Sequence, residues 1–349
     1  MEKARRELEP HVRGAAMFVL HSYVWAVAFC VITMLCWGSW ANTQKLTRRE
    51  WRFELFYWDY AVGVLLVSLV FALTLGSLGS EGRSFLQDIG QAGTPSLLSA
   101  FLGGVIFNAA NILLVAAIDI AGMAVAFPVG IGLALVLGVV VNYIGLPEGN
   151  PLLLFGGVAF VVLAILLDAT AYRRLPGQAA GVSRKGLGLS LACGVLMGFF
   201  YRFVAASMSA DFTNPEAGKM GPYAAVVVFS LGLLASNFLF NAFIMKKPFV
   251  GEPLSASDYF RGDLRTHSIG VLGGTIWGVG MTFSIIASGQ AGFAISYGLG
   301  QGATMVAALW GVFVWREFKA APPGTGKLLA LMFVCFLAGL VLIIAARTV

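Results

Sequence analysis

Seven residues in this chain could do recognition chemistry inside long apolar runs. Asn108 and Asn111 are three apart, on one face of a helix, and Tyr297 and Gln301 are four apart on another. Trp37 and Trp277 fall in the middle of apolar runs, away from the interfacial belts where membrane tryptophans gather. Arg202, within Phe199-Phe200-Tyr201-Arg202-Phe203, is the only ionised residue well inside such a run. Amides and a guanidinium hydrogen-bond a carbonyl-bearing or anionic solute, and indole rings stack on a flat polar ring. Each residue also has a structural alternative. Asparagines bridge membrane helices at about 1 kcal/mol per bond, aromatics fill cores, and Arg202 is close enough to its helix end to snorkel to the interface.

No constellation suits an enzyme. Gly324-Thr325-Gly326-Lys327 invites a phosphate-loop reading, but Ala321 stands where that motif needs glycine and Leu328 where it needs serine or threonine. The three histidines, His11, His21 and His267, lie near span edges with no carboxylate or cysteine in ligand spacing. Cys30, Cys36, Cys193 and Cys335 all sit in apolar runs and read as small buried hydrophobes. We therefore expect no metal, no cofactor and no catalysis. Asp59, Asp119, Glu148, Asp168 and Glu317 fall near span ends. No buried carboxylate relay is visible, and proton coupling stays open.

The elements that must position these residues are transmembrane helices. Of 349 residues, 58% are hydrophobic and 11% charged, against about 25% charged in a soluble domain. A bilayer core needs roughly 20 consecutive apolar residues per helix. Ten uncharged runs meet that length: 20–42, 58–78, 97–118, 122–146, 151–171, 187–208, 222–245, 267–288, 291–315 and 327–346. They are apolar on every side, unlike the alternating strands of a membrane barrel. Lys3, Arg5, Arg6 and Arg13 precede the first run as in a signal peptide, but that run is too long for one and reads as the first helix. The net charge of +6 resides in loops and suits anionic headgroups better than nucleic acid.

Sliding the chain against itself exposes a repeat. Leu102-Gly103-Gly104-Val105-Ile106-Phe107 matches Leu272-Gly273-Gly274-Thr275-Ile276-Trp277 at an offset of 170, Gly130-Ile131-Gly132 matches Gly298-Leu299-Gly300 at 168, and Glu148 matches Glu317 at 169. Residues 1–19 form an N-terminal segment, 20–171 and 187–349 two five-helix halves, and 172–186 the connecting loop. Five is odd, so the second half enters from the opposite face, as an inverted repeat with a solute site near the midplane. Pro128 and Gly130 in helix 4 and Gly298 in helix 9 weaken matched helices, either to open a transporter site or for close packing. Lys and Arg number 15 on the side of the odd-numbered connections against 7 on the other. The positive-inside rule thus places both termini outside the cytoplasm.

Several runs resemble the ureide permease family of the drug/metabolite transporter superfamily. They are Trp37-Gly38-Ser39-Trp40, Asp59-Tyr60, Leu75-Gly76-Ser77-Leu78-Gly79, the Gly103-Gly104 to Asn111 segment, Gly138-Val139-Val140-Val141-Asn142-Tyr143, and Trp310-Gly311-Val312-Phe313 with Glu317. The glucose/ribose porter and rhamnose symporter families share much of this pattern. The resemblance spans Trp25 to Ala346 and implies ten helices in a five-plus-five inverted repeat that imports small heterocyclic or polyol-like solutes with protons. Plant ureide permeases carry a long hydrophilic central loop where this chain has only Tyr172 to Lys185. That departure points to a prokaryotic homologue in a bacterial inner membrane and leaves allantoin or uracil as solute in question. Many superfamily members keep both termini in the cytoplasm, against the charge count, so sidedness stays open.

The expectation is a secondary transporter of a ureide, nucleobase or sugar-like solute, for which a monomer suffices. Its midplane cavity is built from helices 1, 3, 4, 6, 8 and 9 and lined by Trp37, Asn108, Asn111, Arg202, Trp277, Tyr297 and Gln301. A drug or amino-acid exporter, a membrane-embedded enzyme and a non-transporting membrane protein are the alternatives. An exporter predicts a large apolar cavity to which Arg202 is not exposed.

Overall fold

The structure, a computed structural model, describes residues 16–48, 50–176 and 183–348. His11 and the basic residues before it lie outside that range, as does part of the connecting loop. Ten helices are long and apolar enough to cross a membrane. They are α1 (Tyr23–Leu46), α2 (Phe53–Leu73), α3 (Thr94–Ala121), α4 (Phe127–Gly145), α5 (Pro151–Arg173), α6 (Arg184–Ser207), α7 (Pro222–Lys246), α8 (Leu264–Ala291), α9 (Phe293–Val314) and α10 (Thr325–Ala345). At 1.5 Å rise per residue, these 19 to 28 residues reach across a core about 30 Å thick. Among the described residues there are no strands beyond three isolated bridges. The chain is an all-α, multi-pass membrane protein.

Local chemistry sets the helix ends. Pro95, Pro151 and Pro222 occupy first-turn positions, where their missing N–H costs nothing. Asn150 caps α5 by accepting from the N–H groups of Leu152 and Leu153, and Asp263 caps α8 through Thr266. Two turns need glycine outright. Gly122 (φ +76°) and Gly292 (φ +81°) end α3 and α8 and reverse the chain into the next helical segment with almost no loop. They sit at the repeat offset of 170.

Packing follows one scheme. α3 packs on α6 and α7, and α8 packs on α1 and α2; α4 meets α6, and α9 meets α1; α5 lies along α10, and α2 touches α7. Exchanging each helix of the first half for its counterpart five later leaves this list unchanged. The closest approaches obey the same exchange. Gly63 of α2 leaves no room for a Cβ against the Val271 carbonyl of α8, and Gly274 of α8 none against the Tyr60 carbonyl of α2. At offsets of 169 and 170, Gly232 of α7 faces the Phe101 carbonyl of α3, and Gly104 of α3 faces that of Phe229 of α7. Small residues let helix backbones meet where lipid supplies no hydrophobic drive between helices.

Two helices are irregular. α4 enters through the short helix Met123–Ala126 and a π turn over Phe127–Ile131 that contains Pro128 and Gly130. In α9, Gly298 lies within a regular stretch, Phe293–Gly300, and the interruption falls at Gln301 and Gly302 before the helix resumes at Ala303. A second π turn, Trp310–Val314, closes α9.

Candidate solute-binding cavity

A cavity of about 360 Å³ lies between the two halves. α1 contributes Trp37, Trp40 and Gln44 to it, α3 Phe107, Asn111 and Asp119, α6 Met197 and Phe200, α8 Trp277, and α9 Gln301 and Thr304. α4 adds Phe127 and Ile131, and Phe53 at the start of α2 completes the wall. A wider space of about 700 Å³ shares Gln44, Phe53, Val115 and Asp119 with it and runs out to Arg52 and the Val250 to Leu254 connection. The cavity therefore opens on the face of the odd-numbered connections, which is rich in lysine and arginine.

Aromatic rings form its walls. Trp37 and Trp277 stack with centroids 5.7 Å apart and planes 12° apart, and the Trp37 indole N–H donates to the Trp277 carbonyl at 3.3 Å. Phe107 meets Trp277 at 4.3 Å and Phe200 at 5.1 Å. Glycine at 280 and 300 makes the slot for Trp37, since a Cβ at either would press on its ring.

The polar groups are few. Asn111 donates from Nδ2 to the Tyr57 hydroxyl at 3.1 Å, which orients its amide. Gln301 sits at the interruption of α9, where the break in the helix turns its side chain to the cavity wall. Thr304 returns its hydroxyl to the Gln301 carbonyl at 2.9 Å. Among the described residues Asp119, at the mouth, is the one acidic or basic side chain of the lining.

The structure thus gathers Trp37, Asn111, Trp277 and Gln301 and leaves three expected residues out. Asn108 is fully buried in the interface with α7, where Nδ2 donates to Ser236 Oγ at 2.8 Å and to the Leu233 carbonyl. Its structural alternative is the one realised. Arg202 lies past the cavity with its guanidinium against Gly145, at the end of α4 and near the opposite face, as snorkelling requires. Tyr297 is sealed beneath the cavity, donating to the carbonyls of Ala134 at 3.1 Å and Met197 at 3.2 Å, so it belongs to the floor. Phe107, Phe200, Met197 and Gln44 were not foreseen. Phe107 had a signal, since it pairs with Trp277 in the matched hexapeptides.

Below the floor the pathway is shut. The Tyr201 hydroxyl lies 3.0 Å from Ser284 Oγ, and Ser296 donates to the Ser284 carbonyl at 2.6 Å. At that face Arg83 donates to Asp88 at 2.9 Å and to the carbonyls of Pro215, Glu216 and Lys219, while Asp88 accepts from the Gly221 N–H at 2.6 Å. These bonds tie the connection after α2 to the one before α7. Burial pushes the Asp88 carboxyl above the usual carboxylate range, and the Gly221 N–H and Arg83 offset part of that rise.

Two carboxylates near span ends are packed inside the protein: Asp59 is 4% exposed and Asp168 is 8% exposed. His267 does have a carboxylate partner: its Nδ1 lies 2.9 Å from Asp59, and Tyr259 donates to the same carboxylate at 2.6 Å. That pair joins residues 208 apart in the chain, which spacing cannot anticipate.

Comparison with known proteins fits this architecture. The ureide permease family model matches residues 56–175 and 179–346, breaking only in the loop between the halves. The chain belongs to the ureide permease family. Ureide permease 1 of Arabidopsis thaliana is 22% identical over 95% of this chain and 99% of its own length. Ureide permease 5 of the same plant is 23% identical over 95% of this chain and 96% of its own. A crystal structure at 18% identity shares the fold alone, with a TM-score of 0.60 over 94% of this chain and 99% of that one. This ureide permease family member is a membrane transporter of small polar solutes and not an enzyme.

Proposed function

We propose that the chain is a secondary active transporter that moves a small, neutral, flat polar solute by alternating access. A ureide or nucleobase fits best, with sugar-like solutes next. One observation carries this reading: a cavity of about 360 Å³ sets a Trp37–Trp277 stack beside the Asn111 and Gln301 amides. Indoles recognise a flat ring, amides recognise its carbonyl and N–H edges, and a lining without a cation among the described residues disfavours anions. The relatives named ureide permease agree with that chemistry.

The packing scheme, unchanged when each helix is exchanged for its counterpart five later, supports two inverted five-helix halves that rock about the cavity. With the Lys- and Arg-rich face in the cytoplasm, the cavity is inward-open. The short central loop supports a bacterial inner membrane as its location.

Export of an amphipathic solute is the second reading, favoured by Arg202 standing outside a mostly apolar lining. Uptake and counterflow of labelled allantoin, uracil, ribose and glucose in proteoliposomes test both. Counterflow of allantoin or uracil supports the first reading, and transport of none of the four overturns it.

A further inference from the structure

Glu317 pairs with Glu148 at the repeat offset, yet neither touches the cavity. They sit on opposite faces, each with a cation: Glu148 with Arg347 at 3.2 Å, Glu317 with Lys45 at 3.3 Å. Around Glu317 the structure has gone further. Arg316 takes a left-handed backbone (φ +52°), a strained conformation for arginine, immediately before it. Gly311 leaves space that a Cβ would take from the Glu317 carboxylate and the Tyr172 hydroxyl. Tyr172 of α5 donates to Glu317 Oε2 at 2.7 Å.

One turn before Tyr172, on the same face of α5, stands Asp168. It is 92% buried, and among the described residues nothing donates to its Oδ1, which is sealed from solvent. Tyr172, one turn further along that face, carries the contact on to Glu317. Among the described residues no cation pairs with Asp168, Arg173 and Arg174 at the end of its own helix included. α10, packed along α5, carries only Lys327 in its first turn and Cys335 as titratable groups, and α4 only Tyr143 near the other face. Lys45, from α1, pairs with Glu317 and lies over the Trp315 ring, 4.5 Å from its centroid. A bare carboxylate in a low-dielectric interior beside a second one is unfavourable, and taking up a proton removes the penalty.

We propose that Asp168 is a proton-binding site, coupled through Tyr172, Glu317 and Lys45 to the end of α1 that forms the cavity mouth. The proposal rests on the transporter reading above. Hydronium gives its proton to the Asp168 carboxylate: one O–H bond of the donor breaks, the O–H of the acid forms, and water is left. Loss of the proton sets a second negative charge beside Glu317 and draws Lys45 inward. Lys45 sits on the same helical end as Trp40 and Gln44 of the lining, and that end is also tied to α9 by Trp310 to Ser39 at 2.8 Å and Trp315 to Asn42 at 2.6 Å. Protonation of Asp168 therefore biases the position of the mouth.

The test uses the purified full chain. In proteoliposomes with labelled uracil or allantoin, an imposed pH gradient drives accumulation in the wild type. Asp168→Asn loses that accumulation and keeps counterflow between equal pH values, while Asp168→Glu retains both. Wild-type counterflow with no response to the gradient, or gradient-driven accumulation in Asp168→Asn, overturns the proposal and leaves the transporter reading intact. An assay independent of solute reads the site itself: the infrared carbonyl stretch of a buried carboxylic acid is present at neutral pH in the wild type and absent in Asp168→Asn. The same band in both proteins overturns the proposal even where neither solute is carried.

Discussion

Phe107 of α3 and Trp277 of α8 occupy the same register in the two halves, and their rings meet at 4.3 Å in the wall of one cavity. Two positions 170 residues apart thus converge in one cavity wall. Trp37 and Phe229 also stack on Trp277, with centroids at 5.7 and 5.9 Å, so its indole is fixed within an aromatic cluster.

Because aromatic stacking contributes about 0.5–1.5 kcal/mol beyond burial, Trp277→Ala and Trp37→Ala should each weaken solute binding by roughly three- to tenfold, since 1.4 kcal/mol is a factor of ten. Trp277→Phe should recover most of that loss by keeping a stacking face. Counterflow KM values in proteoliposomes measure this. Unchanged KM in both alanine variants would remove the rings from the site.

The two asparagines of α3 should separate cleanly. Asn111→Ala removes an amide from the cavity wall and should raise KM about tenfold, in line with loss of a hydrogen bond to a ligand. Asn108→Ala loses only its bonds to Ser236 and Leu233, so it should lower melting temperature in detergent, by about 1 kcal/mol of stability, with KM unchanged. The reverse pattern would show that the wall has been assigned to the wrong residue.

Why the sequence separates these residues so poorly is geometric. Residues three apart share a broad helical face, yet that face spans both the cavity and the α7 contact, and only the neighbouring helix decides which side chain meets which. Arg202 follows Phe200 by two residues, so it points away from the lining that Phe200 joins. The ten spans were legible because their signal is local: long uncharged runs with boundaries that fall within a few residues of the helices seen. Gly292, Gly298, Gly300 and Gly302 marked α9 as pliable, and the interruption falls at Gln301 and Gly302, since glycine abundance does not mark which bond gives way. Asp59 with His267, and Tyr172 with Glu317, are contacts between distant segments and leave no trace in spacing.

Glycines at the helix crossings carry the packing, so a methyl group there should be expensive. Gly274→Ala forces a Cβ onto the Tyr60 carbonyl, and Gly104→Ala onto that of Phe229. Overpacking of this kind costs about 1–3 kcal/mol, which thermal melting in detergent resolves. Gly90→Ala is the control, since a Cβ there meets nothing within 4 Å. Equal melting temperatures for all three variants would contradict the close backbone approach on which the crossing geometry depends.

The loop between α6 and α7 offers a pH dependence with a definite sign. Asp211 accepts from the Thr213 hydroxyl and N–H and from the Asn214 N–H, and those bonds hold its carboxyl at about 2, below the usual 3.8. A depressed folded-state value means the bonds stabilise the turn above pH 3.8 and are lost as pH falls toward 2. The turn positions Phe212, which is 4% exposed and whose ring fills the space beside Gly289 of α8 on the closed face. Asp211 itself is exposed, so the effect is local rather than global. Hydrogen exchange at the Thr213 amide, corrected for its intrinsic rate, should accelerate between pH 5 and pH 2.5, toward the level of Asp211→Ala, which should show no such step. A wild-type profile as flat as the variant's would mean that the carboxylate does not hold the turn.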